Sequence, residues 1–152
     1  MSHPSPSEEF RVEVIPDLTS ATPRAAELAE LYLSSMGNLQ ERDPDLVAAE
    51  IEKNMKGATF VTLVDENEQV IAMGGLVQPL GSTEGMITNV ATSPEHQGKG
   101  LGSRVIDALV QRAIREDLTL LSVSPSTPSS DEFYARRGFD ATKSPLWRTK
   151  KL

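Results

Sequence analysis

Apolar and polar residues alternate along "FRVEVI" (10–15), the two-residue period of a strand. The pattern then changes to helical spacing. Ala25, Leu28, Ala29, Leu31, Tyr32 and Leu33 share one face of a helix that Thr22-Pro23 opens and Gly37 closes. A second helix is expected over 44–56, again with proline first and Gly57 behind it. "ATFVTLV" (58–64) and "QVIAMGGLV" (69–77) are strand-forming runs about the turn cluster "DENE", the pattern of an antiparallel hairpin. A loop leads to a further strand, "MITNVAT" (86–92), and a helix follows that ends near residue 116. Then come a strand, "LTLLSVS" (118–124), a short helix over about 131–137, and one or two short terminal strands.

This order, β-α-α-β-β-β-α-β-α-β(-β), predicts one α/β domain with a mixed sheet flanked by about four helices. The second, third and fourth strands are joined too closely for parallel crossovers. The strand–helix–strand unit over 86–124 requires a parallel, right-handed one. No internal repeat or interior linker divides the chain. Residues 1–8, rich in Ser and Pro, are expected to be a disordered tail, with the single domain over 9–152.

Composition narrows the chemistry. The 152 residues include no cysteine and two histidines, which excludes a disulfide, a thiolate metal site and a cysteine nucleophile. Two histidines are too few for a histidine-based metal site, so no metal is expected; His3 is expected to be solvated and His96 to be an exposed loop residue. The formal charge of −7 argues against nucleic acid or an anionic membrane as partner. No apolar run approaches the ~20 residues of a membrane span. "MSHPSPSEEF" has neither the basic region nor the apolar core of a signal peptide. Together with the missing cysteines, this points to a cytoplasmic location.

The stretch "HQGKGLGSRVIDALVQRA" (96–113) places Gly98, Gly100 and Gly102 where a helix begins, although glycine costs a helix roughly 1 kcal/mol against alanine. A helix start presents unpaired N–H groups and the positive end of the helix dipole. Glycines there either let a phosphate approach the backbone or merely make a tight turn. The nucleotide P-loop is not matched, because no Gly-Lys-Ser/Thr is present. The dinucleotide fingerprint fails at Ser103.

A third pattern, Arg/Gln-x-x-Gly-x-Gly/Ala, is met by Gln97, Gly100 and Gly102. "ITNVATSPEHQGKGLGSRVIDALVQRA" resembles the acyl-coenzyme A motif of the GNAT superfamily of N-acetyltransferases, and "FYARRGF" (133–139) resembles that family's tyrosine-bearing helix. The resemblance implies the GNAT fold and direct attack by an amine on acetyl-CoA in a ternary complex. It implies that the main chain of Val90 and Thr92 bonds pantetheine, and that an N–H near Val90 or Ala91 faces the thioester oxygen. It also implies that backbone N–H groups of Gln97, Gly98, Lys99, Gly100, Leu101 and Gly102, with Ser103, hold the pyrophosphate. Tyr134 corresponds to the tyrosine that protonates the departing thiolate. Thr127 stands where relatives often carry an asparagine that touches coenzyme A.

At the position of a glutamate base found in several relatives stands Met86. Glu84, two residues earlier, is the candidate base, with Glu41 and Glu50 as further carboxylates near the acceptor end. Asn89 is expected either to hold substrate or a water, or to serve only as a bulge residue. Trp147 is expected to pack in a terminal strand. Arg136 and Arg137 are expected on a solvated helix face or at a coenzyme A phosphate. The acceptor is a small-molecule or peptide amine, entering by the loop "GNLQERDPD" (37–45). A homodimer through the C-terminal strands is compatible with this reading. Competing readings are an acyl-CoA binding module without catalysis and a nucleotide-binding regulatory domain.

Overall fold

The computed structural model describes residues 10–35, 43–125, 127–144 and 146–152. The expected tail, most of the acceptor loop and Glu41 lie outside these residues. Seven strands form one mixed sheet in the order β1-β2-β3-β4-β5-β7-β6. They are β1 (Arg11–Ile15), β2 (Thr59–Val64), β3 (Val70–Val77), β4 (Glu84–Thr92), β5 (Leu120–Val123), β6 (Asp140–Ala141) and β7 (Arg148–Lys151). The helices are α1 (Ala25–Ser35), α2 (Pro44–Glu50), α3 (Leu101–Arg115) and α4 (Pro128–Arg136). β4 and β5 are parallel, joined through α3, and every other neighbouring pair is antiparallel.

β2 and β3 are buried on both faces, which is why their sequences are continuous apolar runs rather than alternating ones. One face packs on α3 through Val61, Leu76, Leu101, Val105 and Leu109. The other packs on α1 and α2 through Phe60, Met73, Leu28, Val47 and Met55. Gly74 sets the depth of α3: a Cβ there would lie 2.7 Å from Val105 Cγ1 and 2.9 Å from Leu109 Cδ1.

Helix boundaries differ from expectation: α1 begins at Ala25, two residues after Pro23. The second helix is α-helical only to Glu50, and a π-helical turn over Ile51–Met55 completes it. α4 starts at Pro128, three residues early, because Thr127 caps it: its hydroxyl accepts from Ser130 N while the Ser130 hydroxyl accepts from Thr127 N. β7 inserts between β5 and β6, so it has strand partners on both sides. Of the two C-terminal strands, only the two-residue β6 therefore presents an edge for the dimer contact expected there.

Candidate active site

β4 is the strand around which the site is built. Its parallel pairing with β5 covers only Glu84, Gly85 and Met86, opposite Leu120, Leu121 and Ser122. From Ile87 onward the two strands have no ladder between them. On its other side β4 pairs with β3, but Met73 faces Ala91 while Gly75 faces Thr88, so β4 carries one extra residue there. Asn89 absorbs it in the left-handed region, with φ 50°. Asparagine tolerates that conformation better than most residues. The bulge expected at Asn89 is thus present.

The parting of β4 from β5 opens a cleft of about 350 Å³. Met86, Thr88, Asn89 and Val90 of β4 line one side, Val123 and Ser124 the other, and Phe133 and Tyr134 of α4 lie across it. Tyr32 of α1 and Trp147, just ahead of β7, complete the wall. Trp147 therefore faces the cleft rather than only packing in a strand. Neither it nor Tyr32 carries a local signal of this role: Tyr32 reads as one more residue of an apolar helix face.

A polar chain runs from the cleft wall to α2. Asn89 is buried, 7% exposed, and its Nδ2 donates to Glu50 Oε1 at 3.0 Å. Asn54 Nδ2 donates to Glu50 Oε2 at 2.7 Å. Thr88 Oγ1 donates to Asn89 Oδ1 at 2.7 Å. Burial, and secondarily the charge of Glu50, push the Tyr32 phenol above its usual value.

Tyr134 is buried and held edge-on by Phe133 and Phe139, with ring centroids 5.1 Å and 5.6 Å away. Burial first, then Tyr32, raises its phenol well above the usual value of 10. It is a protonated donor throughout the neutral range.

Beyond Thr92 the chain passes through the 3-10 turn Pro94–His96 into α3. Gly98 and Gly100 have φ of +81° and +76°, with nothing within 4 Å of a Cβ added at either. These two positions require glycine for conformation. Gly102 does not: it lies within α3 with ordinary helical geometry, and an added Cβ would meet Phe133 at 3.6 Å. Gly100, the N-cap of α3, has no side chain to cap the first-turn N–H groups.

Other expected residues have commitments of their own. Glu84 is exposed at the start of β4 and is not part of the cleft wall; its place on the face of Met86 does not carry it there. The Thr127 hydroxyl is engaged in capping α4, and the cleft is lined instead by Ser130 one turn on. Thr92 O accepts from Gln97 Nε2 at 3.3 Å, which ties the loop to the strand end. The Ser103 hydroxyl accepts from Arg137 Nη2. Arg137 is partly buried with its guanidinium over the Phe133 ring, 5.1 Å from the centroid, while Arg136 is exposed and pairs with Glu132. His96 is partly buried against Phe10, ring centroids 6.1 Å apart, not an exposed loop residue. Among the described residues no group of three metal-ligating side chains occurs. No helix among them is long and apolar enough to cross a membrane.

The sequence model of the Acetyltransferase (GNAT) family matches residues 25–139. L-2,4-diaminobutyric acid acetyltransferase of Nocardia farcinica is 32% identical over 101 residues, 62% of this chain and 52% of that protein. The chain thus spans about half the length of this curated relative. A GNAT-family acetyltransferase of Staphylococcus aureus superposes with a TM-score of 0.70 at 15% identity, over 93% of this chain and 99% of that one. IAA acetyltransferase of Bacillus cereus gives 0.67 at 17%, over 95% and 100%. N-acetylglutamate synthase of Neisseria gonorrhoeae, complexed with coenzyme A and N-acetyl-glutamate, gives 0.64 at 20%, over 95% of this chain and 36% of that one. At such identities the superpositions speak for the fold, whereas the family match spans most of the sequence, from the start of α1 to the end of the tyrosine-bearing segment. The glycine-started helix, the parted strands and the buried tyrosine therefore share one origin: the chain belongs to the GNAT acetyltransferase family.

Proposed function

We propose that the chain transfers the acetyl group of acetyl-CoA to a primary amine of a small molecule or peptide, by direct attack with both substrates bound. The observation that carries this reading is the continuity of two open features. The unpaired edge of β4 from Ile87 onward leads along one strand to the uncapped, glycine-flanked start of α3. A strand edge without a partner offers N–H and C=O groups to an amide-bearing ligand. A helix start with two left-handed glycines and no side-chain cap suits a pyrophosphate. Both fit acetyl-CoA: Val90 and Ala91 would meet the pantetheine end, and the main chain from Gln97 to Gly102 the phosphates. Thr92 contributes less through its carbonyl, which already accepts from Gln97.

Bound acetyl-CoA supplies an activated acetyl thioester. The chain's part is to orient the amine, favour its neutral form and donate to the sulfur. An alkylamine of pKa about 10.4 is mostly protonated at pH 7, which adds roughly 4–5 kcal/mol to the barrier. No carboxylate lines the cleft among the described residues, so the proton leaves by water to solvent. Tyr134 is the sulfur's hydrogen-bond donor. Its raised pKa makes full proton transfer to a thiolate, whose thiol has a pKa of about 8.5, more uphill than in water; a hydrogen bond is its role. Chemistry of this kind, in a chain without cysteine, suits the cytoplasm.

The absence of a carboxylate among the described residues of the cleft wall also favours a second reading, an acyl-CoA binding module without turnover. Mass spectrometry of acetyl-CoA incubations with an amine panel that includes 2,4-diaminobutyrate and glutamate separates the two. Acetylated product whose rate of formation falls at least ~10-fold in Tyr134→Phe supports transfer. Tight acetyl-CoA binding with no product across the panel supports the module.

A further inference from the structure

The polar chain behind the cleft runs in one direction only. The Glu50 carboxylate accepts and does not donate. It receives Asn89 Nδ2 at 3.0 Å and Asn54 Nδ2 at 2.7 Å. With Nδ2 turned to Glu50, the Asn89 amide must turn Oδ1 to Thr88. The single proton of Thr88 Oγ1 must then go to that Oδ1, at 2.7 Å. Thr88 Oγ1 is left with lone pairs and no proton to offer. Thr88 lines the cleft with Asn89, Tyr32 and Tyr134.

Two further observations give this atom a preferred guest. Among the described residues no lysine or arginine pairs with Glu50. Its charge is felt at the cleft wall, since it contributes to the raised phenol pKa of Tyr32. An acceptor-only hydroxyl beside the Glu50 charge suits an ammonium or amine N–H, and disfavours a carboxylate, phosphate or carbonyl.

We propose that Thr88 Oγ1 seats the amine nitrogen of the acceptor, with Asn89 and Glu50 as positioning residues that fix the direction of its hydrogen bond. The substrate class is an aliphatic primary amine with no carboxylate on the amine-bearing carbon: a diamine, or the distal amine of a diamino acid, rather than an α-amino group. This rests on reading the cleft as the acetyl-transfer site.

The test uses the full chain loaded with coenzyme A and follows the side-chain NH2 resonances of Asn89 by NMR. The probes are n-propylammonium, propionate and N,N-dimethylacetamide, which has a carbonyl and no N–H, each titrated to near-molar concentration. The expected result is a saturable shift with propylammonium and none with propionate. Thr88→Val should weaken it about ten- to a hundredfold, the worth of one hydrogen bond to a charged group, while Thr88→Ser restores it. Glu50→Gln lets the Asn89 amide reverse and frees the Thr88 proton to point outward, so it should weaken propylammonium and admit N,N-dimethylacetamide through its carbonyl. Coenzyme A affinity should stay constant throughout. The proposal is overturned if propylammonium leaves Asn89 unmoved, if propionate moves it equally, or if Thr88→Val binds as well as wild type. Failure of coenzyme A to bind would instead remove the acetyl-transfer reading, with the ammonium result standing separately.

Discussion

Replacing Gly102 by alanine separates a phosphate cradle from a tight turn, because at this position the two make opposite demands. An added Cβ would meet Phe133 Cζ at 3.6 Å, Phe133 Cε1 at 3.8 Å and Thr92 Oγ1 at 3.9 Å, all ordinary contacts. The residue has no positive φ and lies in the first turn of α3. Nothing in folding therefore requires glycine, and alanine should stabilise the protein by about 0.5–1 kcal/mol. In a domain of this size that is a rise of about 1–4 °C in Tm. Gly102 is also the second residue of α3, within the helix start that would hold the phosphates. Loss of one charge-assisted hydrogen bond there costs about 1.5–3 kcal/mol, or ten- to a hundredfold in coenzyme A affinity. Thermal unfolding and calorimetric titration on the same preparation measure both. A variant that is more stable and binds coenzyme A as tightly as wild type would refute the cradle at this position. Gly98→Ala and Gly100→Ala cannot make the distinction, since their φ of +81° and +76° strain any side chain whatever the ligand.

Other expectations follow from the same geometry. Tyr134→Phe keeps the ring contacts with Phe133 and Phe139, so Tm should move little and acetyl-CoA affinity should hold, while kcat drops at least ~10-fold, read by steady-state kinetics. The pH profile of kcat/KM should rise through the neutral range as the amine loses its proton. It should show no falling limb from Tyr134 below pH 10, because that phenol is raised above its usual value of 10 in the fold. Gly74→Ala should destabilise by about 1–3 kcal/mol, measured by urea unfolding, as the new methyl presses on Val105 and Leu109. The Glu13 carboxyl is held below its usual 4.5 chiefly by the hydrogen bond from Arg24, so its contribution is present above that pH and fades as pH falls through the lowered value. Arg24→Met should flatten that acid limb in a pH series of unfolding midpoints.

The fold was legible where local pattern and tertiary role agree. The β2–β3 hairpin and α3 follow from periodicity, turn residues and glycine punctuation, because each buries the residues its sequence marks; β1 follows from alternation alone, since Val12 and Val14 stay 51% and 41% exposed. The start of α4 was not, since its cap pairs Thr127 with Ser130, where the recognisable capping box has Glu or Gln. Within the site, the glycine stretch and Tyr134 sit in local motifs. The parting of β4 from β5 after Met86 is a matter of which strand edges meet, and no local pattern encodes that. Glu84 illustrates the limit of two-residue alternation: it shares a strand face with Met86 yet stays exposed outside the cleft. The link from Asn89 to Glu50 spans 39 positions and needs a bulge on one side and α2 on the other, so sequence could name both residues but not join them.

Thermal unfolding in the presence of acetyl-CoA, coenzyme A, ATP and NAD tests the central claim most directly. A ligand at a hundred times its Kd adds about 2.7 kcal/mol, which for this chain is a rise of about 5–10 °C. A rise with acetyl-CoA and coenzyme A alone is the predicted result. No rise with either, or a larger one with ATP or NAD, would contradict the assignment of the β4 edge and the α3 start to an acyl-coenzyme A.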